Sequence, residues 1–191
     1  MRNNKTKKNV KFGIIVSEFN KNITDRLLEG AITALSQEGI DKSEVKIIYV
    51  PGSFEIPIAA QKLAQSEPVE AIICLGAIIK GETDHYHYIS NSTSIALAQL
   101  NLKLNIPVTF GILTTNTMKQ ALERSGGIDG SNINKKLDTN KLSINKNKGN
   151  AGFNAAITAI KMSKLLDALD ASNYSKPVSY THLTLPTNRE V

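Results

Sequence analysis

Short apolar runs alternate with stretches of helical periodicity along most of this chain. "VKFGIIVS" (10–17) is apolar and rich in β-branched residues, with no polar alternation, which predicts a strand buried on both faces. In "NITDRLLEGAITALSQEG" (22–39), Ile23, Leu27, Leu28, Ala31, Ile32 and Leu35 recur on one helical stripe, and Gly39 stands where a helix stops. "VKIIYV" (45–50) predicts a second strand and "PGS" (51–53) a turn. "FEIPIAAQKLAQ" (54–65) predicts a helix that tolerates Pro57 in its first turn. A third strand is predicted over "EAIICLGAII" (70–79) and a helix over "NSTSIALAQLNLKLN" (91–105). "VTFGILTT" (108–115) predicts a fourth strand, followed by helices over "TMKQALERSG" (117–126) and "GFNAAITAIKMSKLLDAL" (152–169).

Four apolar strands alternating with helices predict a parallel sheet joined by right-handed crossovers. The expected fold is α/β, a flavodoxin-like three-layer sandwich whose four-stranded parallel sheet carries helices on both faces. At 191 residues with 41% hydrophobic composition, the chain can bury one sizeable core and is too short for two ordinary domains. The expected organisation is a basic tail over 1–9, one domain over 10–173 with a polar insert at about 127–147, and a C-terminal tail over 174–191. "VSYTHLTLPTNREV" (178–191) abandons both the helical period and the Lys/Asn/Ile bias, and it resembles the translation of a sequencing adapter. We read it as a non-native scar and leave it, with His182, out of the fold.

The net charge of +6 does not point to nucleic acid. Arg2, Lys5, Lys7, Lys8 and Lys11 lie at the start of the chain, and Lys135, Lys136, Lys141, Lys146 and Lys148 lie in the Asn/Lys-rich insert. Neither stretch has the interleaved aromatics of a single-strand binder. The basic start "MRNNKTKKNV" has no apolar region behind it, and no apolar stretch reaches the length that crosses a bilayer. The expectation is a cytoplasmic protein without nucleic-acid or membrane partners. Cys74, the only cysteine, sits inside an apolar run and is expected to be a buried, inert thiol.

In an open parallel sheet, ligands bind beyond the carboxyl ends of the strands. The first strand ends at Phe19 and Asn20, the second at Gly52, Ser53, Phe54 and Glu55, and the third at "AIIKGETDHYH" (77–87); Phe110 lies on the fourth. All the unusual residues are thus expected on one edge. "GETDH" (81–85) joins a flexible Gly81, N–H groups leading into a helix and the Thr83 hydroxyl, a set suited to a phosphate or carboxylate or simply to a polar turn. His85, with an ordinary pKa of about 6.5, can serve as a general acid or base, or be a surface histidine. His85 and His87 would share a face of an extended segment as metal ligands, but a third ligand at suitable spacing is missing, so no metal is expected. Phe19 and Phe110, with Ile78 and Ile79, can wall a flat heterocycle or pack in a core. Glu55 can accept hydrogen bonds from a ligand or favour a helix N-terminus.

"PGSFEIPIAA", "LGAIIKGETDHYHYI", "PVTFGILTT" and "ALERSG", in this order from about Val10 to Leu166, resemble the lumazine synthase family. The resemblance implies a cofactor-free condensation of 5-amino-6-(D-ribitylamino)uracil with 3,4-dihydroxy-2-butanone 4-phosphate, giving 6,7-dimethyl-8-ribityllumazine, phosphate and water, the penultimate step of riboflavin biosynthesis. It implies that Phe19 stacks on the pyrimidinedione, that Ser53 and Glu55 hold the ribityl chain, that Ala77, Ile78 and Ile79 line the ring pocket, and that Asn20, Phe54 and Lys148 are further substrate-binding residues. Gly81, Glu82 and Thr83 would meet the phosphate and His85 would shuttle protons. Phe110 and Arg124 would reach the site from a neighbouring subunit. The implied assembly is a pentamer or a larger pentamer-based shell, up to an icosahedral capsid, with the stretch around Val10 adding to a neighbour's sheet and riboflavin synthase as a candidate protein partner. A catalytically weakened flavin- or lumazine-binding shell protein of the same fold is the alternative.

One departure bears on the phosphate. The family places a Lys-Gly pair shortly after the arginine, whereas here Lys148 and Arg124 are separated by "SGGIDGSNINKKLDTNKLSINKN". Aligning "NAAITAIKM" without gaps puts Ala151 at the lysine position and leaves the register of Lys148 open. Asn154 also stands where Glu or Asp is usual.

Overall fold

A computed structural model describes residues 10–126 and 149–173. The basic tail, the insert with Lys148, and the adapter-like stretch with His182 lie outside the described residues. The elements run β1 (Phe12–Ser17), α1 (Lys21–Gln37), β2 (Val45–Val50), α2 (Ile56–Ser66), β3 (Ala71–Ile79), α3 (His85–Leu104), β4 (Val108–Thr115), α4 (Met118–Arg124) and α5 (Ala151–Asn173). Short 3-10 turns at Lys42–Glu44 and Ser53–Glu55 precede β2 and α2. All strand pairs are parallel, in the order β2-β1-β3-β4.

The absence of polar alternation in β1 and β3 has a direct cause. Phe12, Ile14, Val16, Ala71, Ile73, Leu75 and Ala77 face one core, which α1 and α5 close with Ile23, Leu27, Ala31, Ala156 and Ile160. Ile15, Ile72, Cys74 and Ile78 face the other, closed by Ile56, Ala60 and Leu63 of α2 and by Leu97 and Leu100 of α3. Residues two apart share a face, so a central strand between two helical layers must be apolar throughout. The expected three-layer α/β sandwich is what forms. Burial pushes the Cys74 thiol far up, as expected of an inert thiol.

The last helix packs unusually close. A Cβ on Gly152 would collide with the backbone carbonyl of Leu27, so α1 and α5 can meet at this point only with glycine there. Asn150 caps α5: its Oδ1 accepts from the Phe153 N–H at 3.0 Å.

Several elements begin a residue or more from where the sequence predicts. β1 starts at Phe12 rather than at Val10. More consequentially, α3 starts at His85, six residues before the predicted helix over 91–105, so His85 and His87 belong to a helical turn. Helical residues two apart point to different sides, and the shared face supposed for a pair of metal ligands does not exist. Asp84 stands at the N-cap position, a residue type that signals a helix start, although its side chain makes no capping bond.

Candidate active site

The loops at the carboxyl ends of the strands are stitched to one another by the backbone. The N–H groups of Glu18 and Phe19 donate to the carbonyls of Val50 and Pro51 at 2.8 and 3.1 Å, joining the exits of β1 and β2. Lys80 N–H donates to Thr115 carbonyl at 2.9 Å and joins the exits of β3 and β4. Asn20 supplies the remaining tie: its Nδ2 donates to the Ala77 carbonyl at 2.9 Å. Asn20 adopts φ 58°, in the left-handed region that asparagine tolerates better than most residues.

On this frame the rim residues take distinct positions. Phe19 is 69% exposed and Phe54 55% exposed. Each leaves an aromatic ring in water at a strand exit, apolar surface that a flat ring can cover. Ser53 is buried, its Oγ 2.5 Å from where a Cβ of Gly76 would stand, and its carbonyl accepts from Thr93 Oγ1 of α3 at 3.4 Å. Glu55 closes the 3-10 turn, half-buried. Ala77 and Ile78 are buried, in the cores on opposite faces of the sheet, and Ile79 is half-buried at the strand's end. Gly81, Glu82 and Thr83 are exposed in the loop that leads into the long helix α3, and His85 is its exposed first residue. The rings of Tyr86 and His87 meet edge to face at 5.2 Å.

Chemically, this edge offers exposed aromatic surface, an acidic side chain, a polar loop running into a helix N-terminus and an imidazole open to solvent. Helix N-termini favour anions because N–H groups and the macrodipole both point there. Among the described residues, no three His, Cys, Asp or Glu side chains gather as a metal set. Nor is any described helix long and apolar enough to cross a membrane.

The topology brings Phe19, Asn20, Ser53, Phe54, Glu55, Ala77, Ile78, Ile79, Gly81, Glu82, Thr83 and His85 to one edge of the sheet. Phe110 is not among them, which corrects the expectation that every unusual residue lies there. It pairs with Cys74 in the middle of β3, whereas Thr115 pairs with Ile79 at its end. Five residues of strand set Phe110 back by about 16 Å. Half-exposed on the outer strand, it lines a lateral groove with Asn101, Ile106, Thr158 and Met162. The apolar run of β4 identified the strand but not the position along it. Arg124 is exposed at the end of α4.

Asn150 is a residue that sequence reasoning missed. Buried, it donates through Nδ2 to the carbonyls of Arg26 at 3.0 Å and Ser125 at 2.8 Å. An asparagine immediately before an apolar helical stretch was the available signal.

The sequence model of the 6,7-dimethyl-8-ribityllumazine synthase family matches residues 9–167, a span that holds every strand and all but the last residues of α5. The chain belongs to the 6,7-dimethyl-8-ribityllumazine synthase family.

Proposed function

We propose that the protein condenses 5-amino-6-(D-ribitylamino)uracil with 3,4-dihydroxy-2-butanone 4-phosphate to give 6,7-dimethyl-8-ribityllumazine, phosphate and water. The observation that carries this reading is the placement of His85 at the head of α3, directly after the exposed Gly81–Thr83 loop and on the same sheet edge as Phe19 and Glu55. An amine of the pyrimidinedione adds to the ketone and water leaves. Phosphate is then eliminated, and ring closure loses water. Each step moves a proton and needs orientation more than a strong nucleophile, which one imidazole and an anion site can supply.

In this reading Phe19 stacks on the pyrimidinedione at the end of β3, which Ala77, Ile78 and Ile79 form, with Asn20 beside it. Ser53, Phe54 and Glu55 hold the ribityl chain, and Gly81, Glu82 and Thr83 receive the phosphate. His85 shuttles the protons. The test is direct: the two substrates mixed with the protein yield a fluorescent lumazine, and His85→Ala slows kcat by about a hundredfold with little change in KM. A wild-type chain that yields no lumazine overturns the reading.

The position of Phe110 supports an assembly. Set back along the outer strand, it serves no rim of its own chain, and we place it, with Arg124, in a neighbour's site within a pentamer or a pentamer-based shell. The outward face of α3 fits burial in such an assembly. Tyr88, Ile95 and Leu102 are exposed at seven-residue intervals, and Lys103 is the one Lys, Arg, Asp or Glu in the helix. Depletion of charge with retained aromatic and aliphatic surface marks interface cores. The native mass, measured in solution, checks it: a monomer contradicts the assembly.

A further inference from the structure

Asn150 joins three segments that are distant in sequence. Its Nδ2 donates to Arg26 carbonyl in α1 at 3.0 Å and to Ser125 carbonyl, just past α4, at 2.8 Å. Its Oδ1 accepts from Phe153 N–H at 3.0 Å, capping α5. The side chain is 5% exposed, in a space that exists because Gly30 has no Cβ: one placed there would overlap the amide. Two carbonyl oxygens face one end of the amide and an N–H faces the other. Only a side chain with donors on one atom and an acceptor on the next, at this length, satisfies all three.

The tie to Ser125 matters because of the residue before it. α4 has seven residues, Ala121 is its buried anchor, and Arg124 ends it with an exposed side chain. A helix this short has little stability of its own, so tertiary contacts decide where its last turn sits. The Asn150 amide holds that turn by the backbone, one residue from Arg124, and refers it to α1 and α5.

We propose that Asn150 is a positioning residue, acting through Ser125 to aim the Arg124 guanidinium at the phosphate group of the substrate. The proposal rests on the reading above, in which Arg124 serves the phosphate. A guanidinium grips phosphate through paired N–H groups of fixed geometry, so a tilt of the last turn is felt as lost affinity.

The test is calorimetric titration of inorganic phosphate into the intact protein, its Asn150→Asp and Asn150→Ser variants, Arg124→Gln, and the double variant Asn150→Ser/Arg124→Gln. Aspartate keeps the size but turns an oxygen toward two carbonyls. Serine keeps a good cap for α5 and loses both donations, so it guards against an Asp variant that fails to fold. The expected result is a loss of phosphate affinity of about tenfold in Asn150→Ser, similar to that in Arg124→Gln, with no further loss when the two are combined. A merely structural role would lower thermal stability and leave this coupling at zero. Wild-type affinity in Asn150→Ser, additive losses in the double variant, or a wild-type protein that does not bind phosphate would each overturn the proposal. Failure of the reaction reading shows differently: phosphate binding with the coupling intact, but no lumazine from the two substrates.

Discussion

The side-chain amide of Asn20 donates to the carbonyl of Ala77 at 2.9 Å, so the loop leaving β1 is fixed to the carboxyl end of β3 by a side chain rather than by the sheet ladder. The β1–β3 ladder ends at the pair Val16 and Leu75, and beyond it the two strands no longer pair. Asn20 spans that gap while also starting α1 in a left-handed conformation at φ 58°. It therefore sets where its neighbour Phe19 stands relative to the end of β3.

Two substitutions separate those roles. Asn20→Ala loses the hydrogen bond, worth about 1 kcal/mol, and puts an ordinary residue in the left-handed region at a further cost of about 1–2 kcal/mol. Asn20→Gly loses the bond alone. Thermal denaturation should show Asn20→Ala less stable than Asn20→Gly, with Asn20→Gly about 2–4 °C below wild type. Equal melting temperatures for all three would dismiss the tie.

Much of this arrangement was legible before any coordinates, and the rest had no signal to read. β1 and β3 showed as apolar runs without polar alternation because helices cover both faces, and the sheet-edge rule then placed Phe19, Glu55 and His85 on one rim. The head of α3 was only faintly legible: Asp84 offers a helix-start residue, but "HYHYI" carries no clear apolar stripe. The setback of Phe110 depends on register, which an apolar run does not specify. The role of Asn150 had no local signal beyond a possible helix cap, because its three hydrogen bonds join partners that only the tertiary fold brings together.

At the opposite edge, the entrances to β1 and β2 are joined by an ion pair. Lys11 Nζ lies 2.7 Å from Glu44 Oε1, and Lys11 N–H donates to Glu44 carbonyl at 2.8 Å. The hydrogen bond from Lys11, aided by the Asp41 N–H, holds the Glu44 carboxyl below its usual range, and the same bond raises Lys11. A depressed carboxylate stabilises the fold above its unfolded value, about 4.3, and this is lost as pH falls through the folded value. The raised lysine keeps its contribution until pH climbs through its own folded value. Wild type should therefore melt above Lys11→Met at pH 7, with the gap closing below about pH 4 and shrinking in high salt. A gap independent of pH would show that the pair contributes only packing.

The ends of the insert are held together by the fold itself. Ser125 precedes residues 127–148 and Asn150 follows them, and the 2.8 Å hydrogen bond between the two fixes the stem. Closing a short loop there costs no more than closing a long one, because closure entropy grows only slowly with length. Replacing residues 127–148 with about four glycine and serine residues should leave the melting temperature within a few degrees and turnover within about threefold, unless the replaced residues supply chemistry. A collapse of turnover with unchanged melting would assign a role to that stretch, Lys148 first.

The register beside the insert can be argued from packing. Gly152 cannot shift, because any other residue would collide with Leu27, and Asn150 cannot shift without uncapping α5. That leaves Ala151, half-buried against the core, where the resemblance places the lysine of an Asn-Lys-Gly run. A lysine at this position can lay its methylenes on the apolar surface and extend its ammonium past it. Its charge near the helix N-terminus costs about 0.3–1 kcal/mol, while a charge-assisted contact with phosphate returns about 1.5–3 kcal/mol. Ala151→Lys should therefore lower KM for the phosphate substrate by up to about tenfold, leave KM for the pyrimidinedione unchanged, and lower the melting temperature by a few degrees at most. A tenfold rise in that KM on Lys148→Met, with no gain from Ala151→Lys, would instead locate the cation at Lys148.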